Sequence, residues 1–249
     1  MQVHELMNAF RTTARKAHKR IVLPEGTEPR TVKAAGLITE GNLAHVMLIG
    51  DEAAIRAVAA EQKADLKGVE IIDPVKSDKY EGYVEAFYEM RRAKGVTRDQ
   101  AAATVADPVY FGTMMVQMGD ADGLVSGAEH STADTIRPAL QIIKTAPGIK
   151  IVSSAFIMVV PDCEFGDNGL FIFADCAVNP NPNAEEMAAI ALSSAENARI
   201  LCNMEPKVAM LSFSTKGSAE HELVDKVRQA TAIAKAAAPE LMIDGEFQV

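Results

Sequence analysis

In Gly123-Leu-Val-Ser-Gly-Ala-Glu-His-Ser-Thr-Ala-Asp-Thr-Ile-Arg-Pro138, a short apolar run passes into small residues and then into helical spacing. The pattern predicts a strand over 122–126, a loop, and a helix over 132–144. Ser131 lies three residues before Asp134, the spacing of a helix cap. Upstream the same unit recurs. Ile21–Leu23 ends in the turn signal Pro24-Glu25-Gly26, and a helix is predicted over 28–40. Strands Val46–Ile49 and Val69–Ile72 flank a helix over 52–64. Helices follow over 78–94, over 98–105 behind Thr97, and from Asp107-Pro108. This alternation with short connections predicts an α/β fold with a mainly parallel sheet.

Downstream the pattern changes at Thr145-Ala-Pro-Gly148, which divides the chain into expected domains at 1–148 and 149–249. Ile151–Val160 and Leu170–Phe173 flank the turn-rich residues 161–169 and read as an antiparallel hairpin. Then come an Ala-rich helix over 184–203, a strand over 207–212, a helix over 219–236 and a strand from 241. Tyr80, Tyr83, Phe87 and Met90 recur at helical spacing, which is expected to be core packing. The N-terminal residues, with Leu6, Phe10 and Ala14, predict an amphipathic surface helix and carry no secretory h-region.

Composition narrows the function classes. Of 249 residues, 48% are hydrophobic and 24% charged, as in ordinary globular chains. Net charge is −9, with no Trp and 5% aromatics, which argues against nucleic-acid and anionic-membrane binding. The longest apolar runs, such as Ala155–Val160, are too short to span a bilayer. The three cysteines, 163, 176 and 202, make no CxxC pair and fit a reducing cytoplasm. Residues 1–150 carry 19 basic and 20 acidic side chains, and residues 151–249 carry 6 and 14. The basic groups a polyanion would meet are therefore concentrated in the first part. Their densest cluster is Arg91, Arg92, Lys94 and Arg98, which charge alone equally reads as a solvated helix face.

Three segments can carry chemistry. In the loop around Ser131 and Thr132, N–H groups at a helix start and two hydroxyls can hold a phosphate, or Ser131 is simply a cap. Its place after a parallel strand is where open α/β sheets bind ligands. In Met210-Leu-Ser-Phe-Ser-Thr-Lys-Gly-Ser-Ala-Glu-His221, Lys216 can hold a phosphate and Gly217 admits close approach, or Thr215 or Ser218 caps a helix. Neither a Walker A loop nor GxGxxG is present. In Asp175-Cys-Ala-Val-Asn-Pro-Asn-Pro-Asn183, Asn183 is the expected helix cap, and Cys176, with no histidine nearby in sequence, is expected to be a small buried apolar residue. No two of the five histidines have metal-ligand spacing.

Six segments together are more specific than any one. They are Arg20-Ile-Val-Leu-Pro-Glu-Gly26, Gly119-Asp-Ala-Asp-Gly123, Ser131-Thr-Ala-Asp134 with Arg137-Pro-Ala-Leu140, Asp175-Cys-Ala-Val-Asn-Pro180, Glu205–Ser218 and Asp244-Gly-Glu246. In this order the chain resembles the phosphate acetyl/butyryltransferase family. The resemblance implies reversible acetyl transfer between coenzyme A and inorganic phosphate. It implies a two-domain subunit with the isocitrate/isopropylmalate dehydrogenase-like fold, a homodimer joined through the second domain, and an active site in the interdomain cleft. It makes Ser131, Thr132 and Lys216, with Ser126 and Ser214 behind them, the expected ligands of the phosphoryl group. Arg91 and Arg137 become the expected coenzyme A contacts. Acetyl-CoA, phosphate and acetyl phosphate are the implied substrates, with no separate cofactor and no metal.

The family pattern continues past Val249 with an Asn-Asp-Leu-Ser-Arg-Gly-type segment and a later aspartate. These supply the serine, arginine and aspartate usually assigned to catalysis. The catalytic residues are therefore unassigned here, the C-terminal part of the family pattern is missing, and the 249-residue chain alone is expected to be a nearly inactive fragment. The alternatives are a phosphate butyryltransferase, or a non-catalytic acetyl-CoA-sensing and oligomerisation module. A dehydrogenase is disfavoured, because no paired metal-binding aspartates are evident.

Overall fold

A computed structural model describes residues 3–249. They form two compact units, Ala9–Lys144 and Thr145–Val249, the second joined by the chain up to Asn8. In chain order the helices are α1 (Val3–Ala17), α2 (Pro29–Glu40), α3 (Glu52–Gln62), α4 (Tyr80–Arg91), α5 (Arg98–Val105), α6 (Pro108–Gln117), α7 (Thr132–Ile142), α8 (Phe165–Asn168), α9 (Ala184–Cys202) and α10 (Glu222–Ala237). The strands are β1 (Arg20–Leu23), β2 (His45–Ile49), β3 (Glu70–Ile72), β4 (Gly123–Leu124), β5 (Ala155–Val159), β6 (Leu170–Ala174), β7 (Lys207–Leu211) and β8 (Met242–Phe247).

In the Ala9–Lys144 unit the four strands form a parallel sheet in the order β3-β2-β1-β4. Alternate residues of a strand face opposite ways, so two cores result. Val22, Met47 and Ile49 pack with Tyr83, Phe87, Phe111 and Met114. Leu23, Val46 and Leu48 pack with Ala35 and Ile55. Both sheet faces are thus covered, which explains the near-continuous apolar runs of β1 and β2. Each helix start has a local reason. Asp51, Thr97 and Asp107 accept backbone N–H bonds as caps, and Thr97 completes a reciprocal pair with Gln100.

The register matters for function. Ile21 pairs with Gly123 and Val22 with Leu124, so the turn after β1 and the loop after β4 leave the sheet side by side. Strand order reverses direction at this pair, the place where parallel sheets open a crevice. At Gly26 a Cβ would lie 2.4 Å from the Ile49 carbonyl oxygen, so the β1 turn runs against β2 too closely for any side chain.

In the Thr145–Val249 unit, β5 and β6 form the expected antiparallel hairpin, and β7 pairs in parallel with β8. Ala184, Ala188, Ala191 and Ala195 of α9 share a core with Val227, Ala230 and Ala234 of α10. Asn183 caps α9 in a reciprocal pair with Glu186, as its position predicted.

Several boundaries differ from expectation. The β4 ladder is two residues long, because the chain turns away after Leu124 to wrap the Glu25 side chain. The β5 strand begins at Ala155 rather than Ile151, since Ser154 is held by Asp175. Helix α4 stops at Arg91, and residues 92–94 tighten into a 3-10 turn ending at Gly95. Within its aromatic stripe Tyr83 and Phe87 are core, but Met90 is exposed. Helix α10 begins at Glu222 rather than 219, and its cap is His221, whose Nδ1 accepts from the Leu223 N–H. Thr215 and Ser218 therefore do not cap it.

Candidate functional site

The loop after β4 is organised by a residue that sequence spacing did not single out. Glu25, from the turn after β1, buries its carboxylate in the loop. It accepts the N–H groups of Gly127 at 3.0 Å, Ala128 at 2.9 Å, Glu129 at 2.8 Å and His130 at 3.0 Å. His130 Nδ1 lies 2.9 Å from Glu25 Oε1. Burial alone would raise the carboxyl pKa. The backbone N–H groups of Glu129, His130 and Ala128, with the His130 side chain, outweigh it and lower the pKa to about 2. The expectation that these loop N–H groups face a phosphate is thereby corrected: a carboxylate of the chain itself occupies the nest.

The side chains of this loop have distinct situations. Ser131 caps α7: its Oγ accepts from Asp134 N–H and donates to Asp134 Oδ2 at 2.6 Å. Thr132, the first helical residue, is exposed. Ser126 Oγ is buried with no hydrogen-bond partner among the described residues, an orphaned hydroxyl that calls for an explanation.

Arg91 of α4 and Arg137 of α7 are linked through the field at one side chain of α6. Both act electrostatically on the Tyr110 phenol, whose pKa is raised by burial and by Asp107 against their opposing pull. Tyr110 donates to Gln141 Oε1 at 3.1 Å. Among the described residues Arg91 Nε is buried without a partner, whereas exposed Arg137 pairs with Asp134 at 3.3 Å. The rest of the basic cluster is partly neutralised: Arg92 pairs with Glu89, and Arg98 with Glu81 and Glu85. Of the cluster's arginines, Arg91 alone has no ion pair among the described residues.

In the other unit, the loop after β7 repeats the arrangement with different residues. Glu246 of β8 is buried and accepts from Gly217 N–H at 2.8 Å and from Ser214 Oγ at 3.2 Å. Arg228 Nε lies 3.3 Å from its Oε2. The Gly217 N–H and the Glu246 backbone N–H, with Arg228, lower the Glu246 pKa to about 2. Gly217 has a φ of 88°, the left-handed region that glycine adopts without strain. Ser214 is completely buried, and its hydroxyl also accepts from Ala219 N–H. The expectation that Ser214 faces a ligand is corrected here, because its bonds tie the loop together.

Lys216 is half-exposed, but its ammonium is engaged. Nζ lies 2.7 Å from Asp244 Oδ1 and 2.8 Å from the Gly245 carbonyl oxygen, above the Phe247 ring at 5.1 Å. Asp244 also receives Lys235, and the two lysines hold its carboxyl well below the ordinary range.

The Asp175 loop is a structural clasp. Asp175 accepts from Ser154 N–H and Oγ, Ala177 N–H, Val178 N–H and Asn179 Nδ2. These bonds, against the opposing effect of burial, hold its carboxyl far below the usual range. Cys176 is half-buried rather than core, because its N–H is drawn to Ser154 Oγ. Glu25, Glu246 and Tyr110 were not legible as site residues, since carboxylates in turns and tyrosines in helices are common everywhere. The weak signal was Pro-Glu-Gly directly after a buried strand.

Among the described residues, no group of three or more His, Cys, Asp and Glu side chains is placed to hold a metal ion. No helix among them is long and apolar enough to cross a membrane.

Known proteins give the site its context. The family profile described as Phosphate acetyl/butaryl transferase matches residues 5–249. A phosphate acetyltransferase of Thermoanaerobacterium thermosaccharolyticum is 60% identical over 236 residues, covering 95% of this chain and 71% of that one. One from Clostridium acetobutylicum is 52% identical over 245 residues, covering 98% and 74%. A solved phosphotransacetylase from Streptococcus pyogenes superposes with a TM-score of 0.91 at 42% identity, over 100% of this chain and 74% of that one. By its sequence over nearly its whole length and by its fold, this chain belongs to the phosphate acetyl/butyryl transferase family.

Proposed function

We propose that this chain is a phosphate acetyltransferase, which moves acetyl reversibly between coenzyme A and inorganic phosphate. The observation that carries the reading is the 60% identity to a phosphate acetyltransferase across 95% of the chain. The geometry supports it in two ways. Arg91 and Arg137 both place positive charge close enough to act on the Tyr110 phenol, which suits the phosphates of coenzyme A. The Ser126, Ser131 and Thr132 hydroxyls, and separately Lys216, suit a phosphoryl group. Ser214 supports its loop.

In the direction of acetyl-CoA formation, the coenzyme A thiol loses its proton to a base, and the thiolate sulfur bonds to the acetyl carbonyl carbon. The bond from that carbon to the phosphate oxygen breaks, and phosphate leaves with the electron pair. No covalent enzyme intermediate is needed. The groups named here would position the two substrates and oppose the charge on the departing phosphate. Coenzyme A is then a substrate, and no resident cofactor is invoked.

A dehydrogenase-like two-domain subunit divided near Gly148, a homodimer, and a cytoplasmic location complete the reading. The dimer is supported by the β5–β6 hairpin, where Phe156, Met158 and Phe173 are exposed together. The location is supported by three free cysteines.

The test is coenzyme A thiol release from acetyl-CoA, with and without inorganic phosphate, on protein whose intact mass is measured in parallel. Phosphate-dependent release is the expected result for the transferase. Release from a chain of only these 249 residues would place the base among the residues described above. Bound acetyl-CoA without release, in protein of full family length, would overturn the reading in favour of a sensing module. Competition between acetyl-CoA and butyryl-CoA separates the two acyl preferences.

A further inference from the structure

The loop around His130 raises a specific question, because Glu25 uses up its backbone donors. Four consecutive N–H groups end on one carboxylate that is 2% exposed in its side chain. A phosphate arriving here cannot be held by them without displacing Glu25. Side chains remain. Glu25 is ionised at all ordinary pH and can only accept hydrogen bonds. The 2.9 Å contact therefore fixes the proton of neutral His130 on Nδ1. Nε2 is left without a partner among the described residues, on a side chain that is 30% exposed. Ser126 Oγ, four residues earlier, is buried and unpartnered.

We propose that His130, oriented by Glu25, binds the phosphoryl group of inorganic phosphate or acetyl phosphate through Nε2. This rests on the phosphate-using reaction proposed above and adds a residue to it. Neutral His130 presents a lone pair at Nε2, which can accept from a P–OH but repels an ionised phosphate oxygen. Protonated His130 presents an N–H and a positive charge, with Glu25 behind it. An imidazolium between two anions is the arrangement that both anions stabilise. Phosphate and proton therefore bind His130 cooperatively. Glu25 is a positioning residue in this scheme: it sets the tautomer and the ring direction, and does not itself touch the phosphate.

The surrounding charges make the pairing selective. Glu25 faces the ring from the β1 turn, Glu28 and Arg30 lie on the α2 side, Glu129 stands beside it in the loop, and Asp134 and Arg137 come from α7. Arg30 donates to the Ala128 carbonyl oxygen at 2.7 Å and to Glu28 at 2.6 Å, so its charge is already anchored to the loop frame.

The experiment is an NMR titration of the five histidine Cε1–H signals with pH, with and without saturating inorganic phosphate, His130 being assigned through H130N. Phosphate binding is measured on the same samples by calorimetry. Phosphate should move the His130 midpoint upward and leave His18 and His45, at the opposite strand ends of the same sheet, unmoved. H130N should weaken phosphate binding about tenfold or more. E25Q should lower the His130 midpoint and weaken phosphate binding, with folding checked by circular dichroism. A His130 midpoint unmoved by phosphate that binds normally would overturn the inference and leave the proposed reaction standing. Absence of both phosphate binding and phosphate-dependent thiol release in wild-type protein would overturn the reaction, and this inference with it.

Discussion

The Lys216 ammonium and the Asp244 carboxylate stand 2.7 Å apart, with Lys235 on the same oxygen at 2.8 Å. In sequence a helix, α10, separates Lys216 from Asp244 of β8, and the parallel β7–β8 pairing brings them together. A lysine that reads as a free phosphate ligand in the chain is thus held by a carboxylate in the fold.

That pairing sets a competition. A phosphate and Asp244 would share one ammonium, so removing the Asp244 charge frees Lys216. D244N is expected to tighten inorganic phosphate binding by about twofold to fivefold, the scale of an exposed ion pair. The double change K216M/D244N should lose that gain. Calorimetric titration with phosphate measures both. Equal affinities in wild type and D244N would remove Lys216 from the binding site.

Glu25 makes stability depend on pH. Its carboxyl pKa falls from 4.5 to about 2 on folding. For a depressed carboxylate, the stabilisation is present above the unfolded pKa and is lost as pH falls through the folded value. The window is therefore from about pH 5 down to about pH 2. Urea unfolding should show wild-type stability declining across this window by roughly 2–3 kcal/mol more than in E25Q. At pH 7, E25Q should be destabilised by a similar amount, because its amide N–H groups oppose the loop donors. Parallel pH profiles of the two proteins would show that the Glu25 nest contributes no linked stability.

What the sequence revealed, and what it hid, has a physical pattern. Helix caps at Thr97 and Asn183 were legible because a cap is a contact within four residues. The parallel sheet was legible from alternating units, and the hairpin from its turn-rich connector. Ser214 misled, because a serine in a hydroxyl-rich loop looks the same whether it faces a ligand or, as here, a buried carboxylate 32 residues away. Glu25 was read only as part of a turn, since its five partners begin 102 residues later. Long-range polar contacts leave no periodic trace in the chain. Even the shared electrostatic effect of Arg91 and Arg137 on Tyr110 needed three helices to be placed first.

Ser131, Thr132 and Ser214 separate structure from binding. Ser131 caps α7, so S131A should cost about 1 kcal/mol of stability. Ser214 is fully buried and hydrogen-bonded, so S214A should cost about 1–2 kcal/mol and leave phosphate affinity unchanged. Thr132 is exposed at the helix start, so T132V should leave stability within about 0.5 kcal/mol. If T132V nevertheless weakens phosphate binding, the hydroxyl is a ligand. Denaturant midpoints and phosphate titrations on the three variants give the split, and a loss of phosphate affinity in S214A with unaltered stability would contradict the structural role assigned to it.

Arg91 and Arg137 differ in what they have to give up. Arg137 must share its guanidinium with Asp134, whereas Arg91 keeps a buried Nε with no partner. A buried guanidinium donor without an acceptor is unfavourable, and a coenzyme A phosphate would satisfy it. R91M is therefore expected to weaken coenzyme A binding more than R137M, by about tenfold or more against a few-fold. R91K keeps the charge but loses the planar fork, so it should recover only part of the affinity. Y110F removes the bond to Gln141 and should leave coenzyme A affinity near wild type if the arginines act directly on phosphate. Coenzyme A titrations at two salt concentrations test this, since losing a phosphate contact also flattens the salt dependence. Wild-type affinity in R91M would assign the unpartnered guanidinium to some other ligand and take Arg91 out of the coenzyme A site.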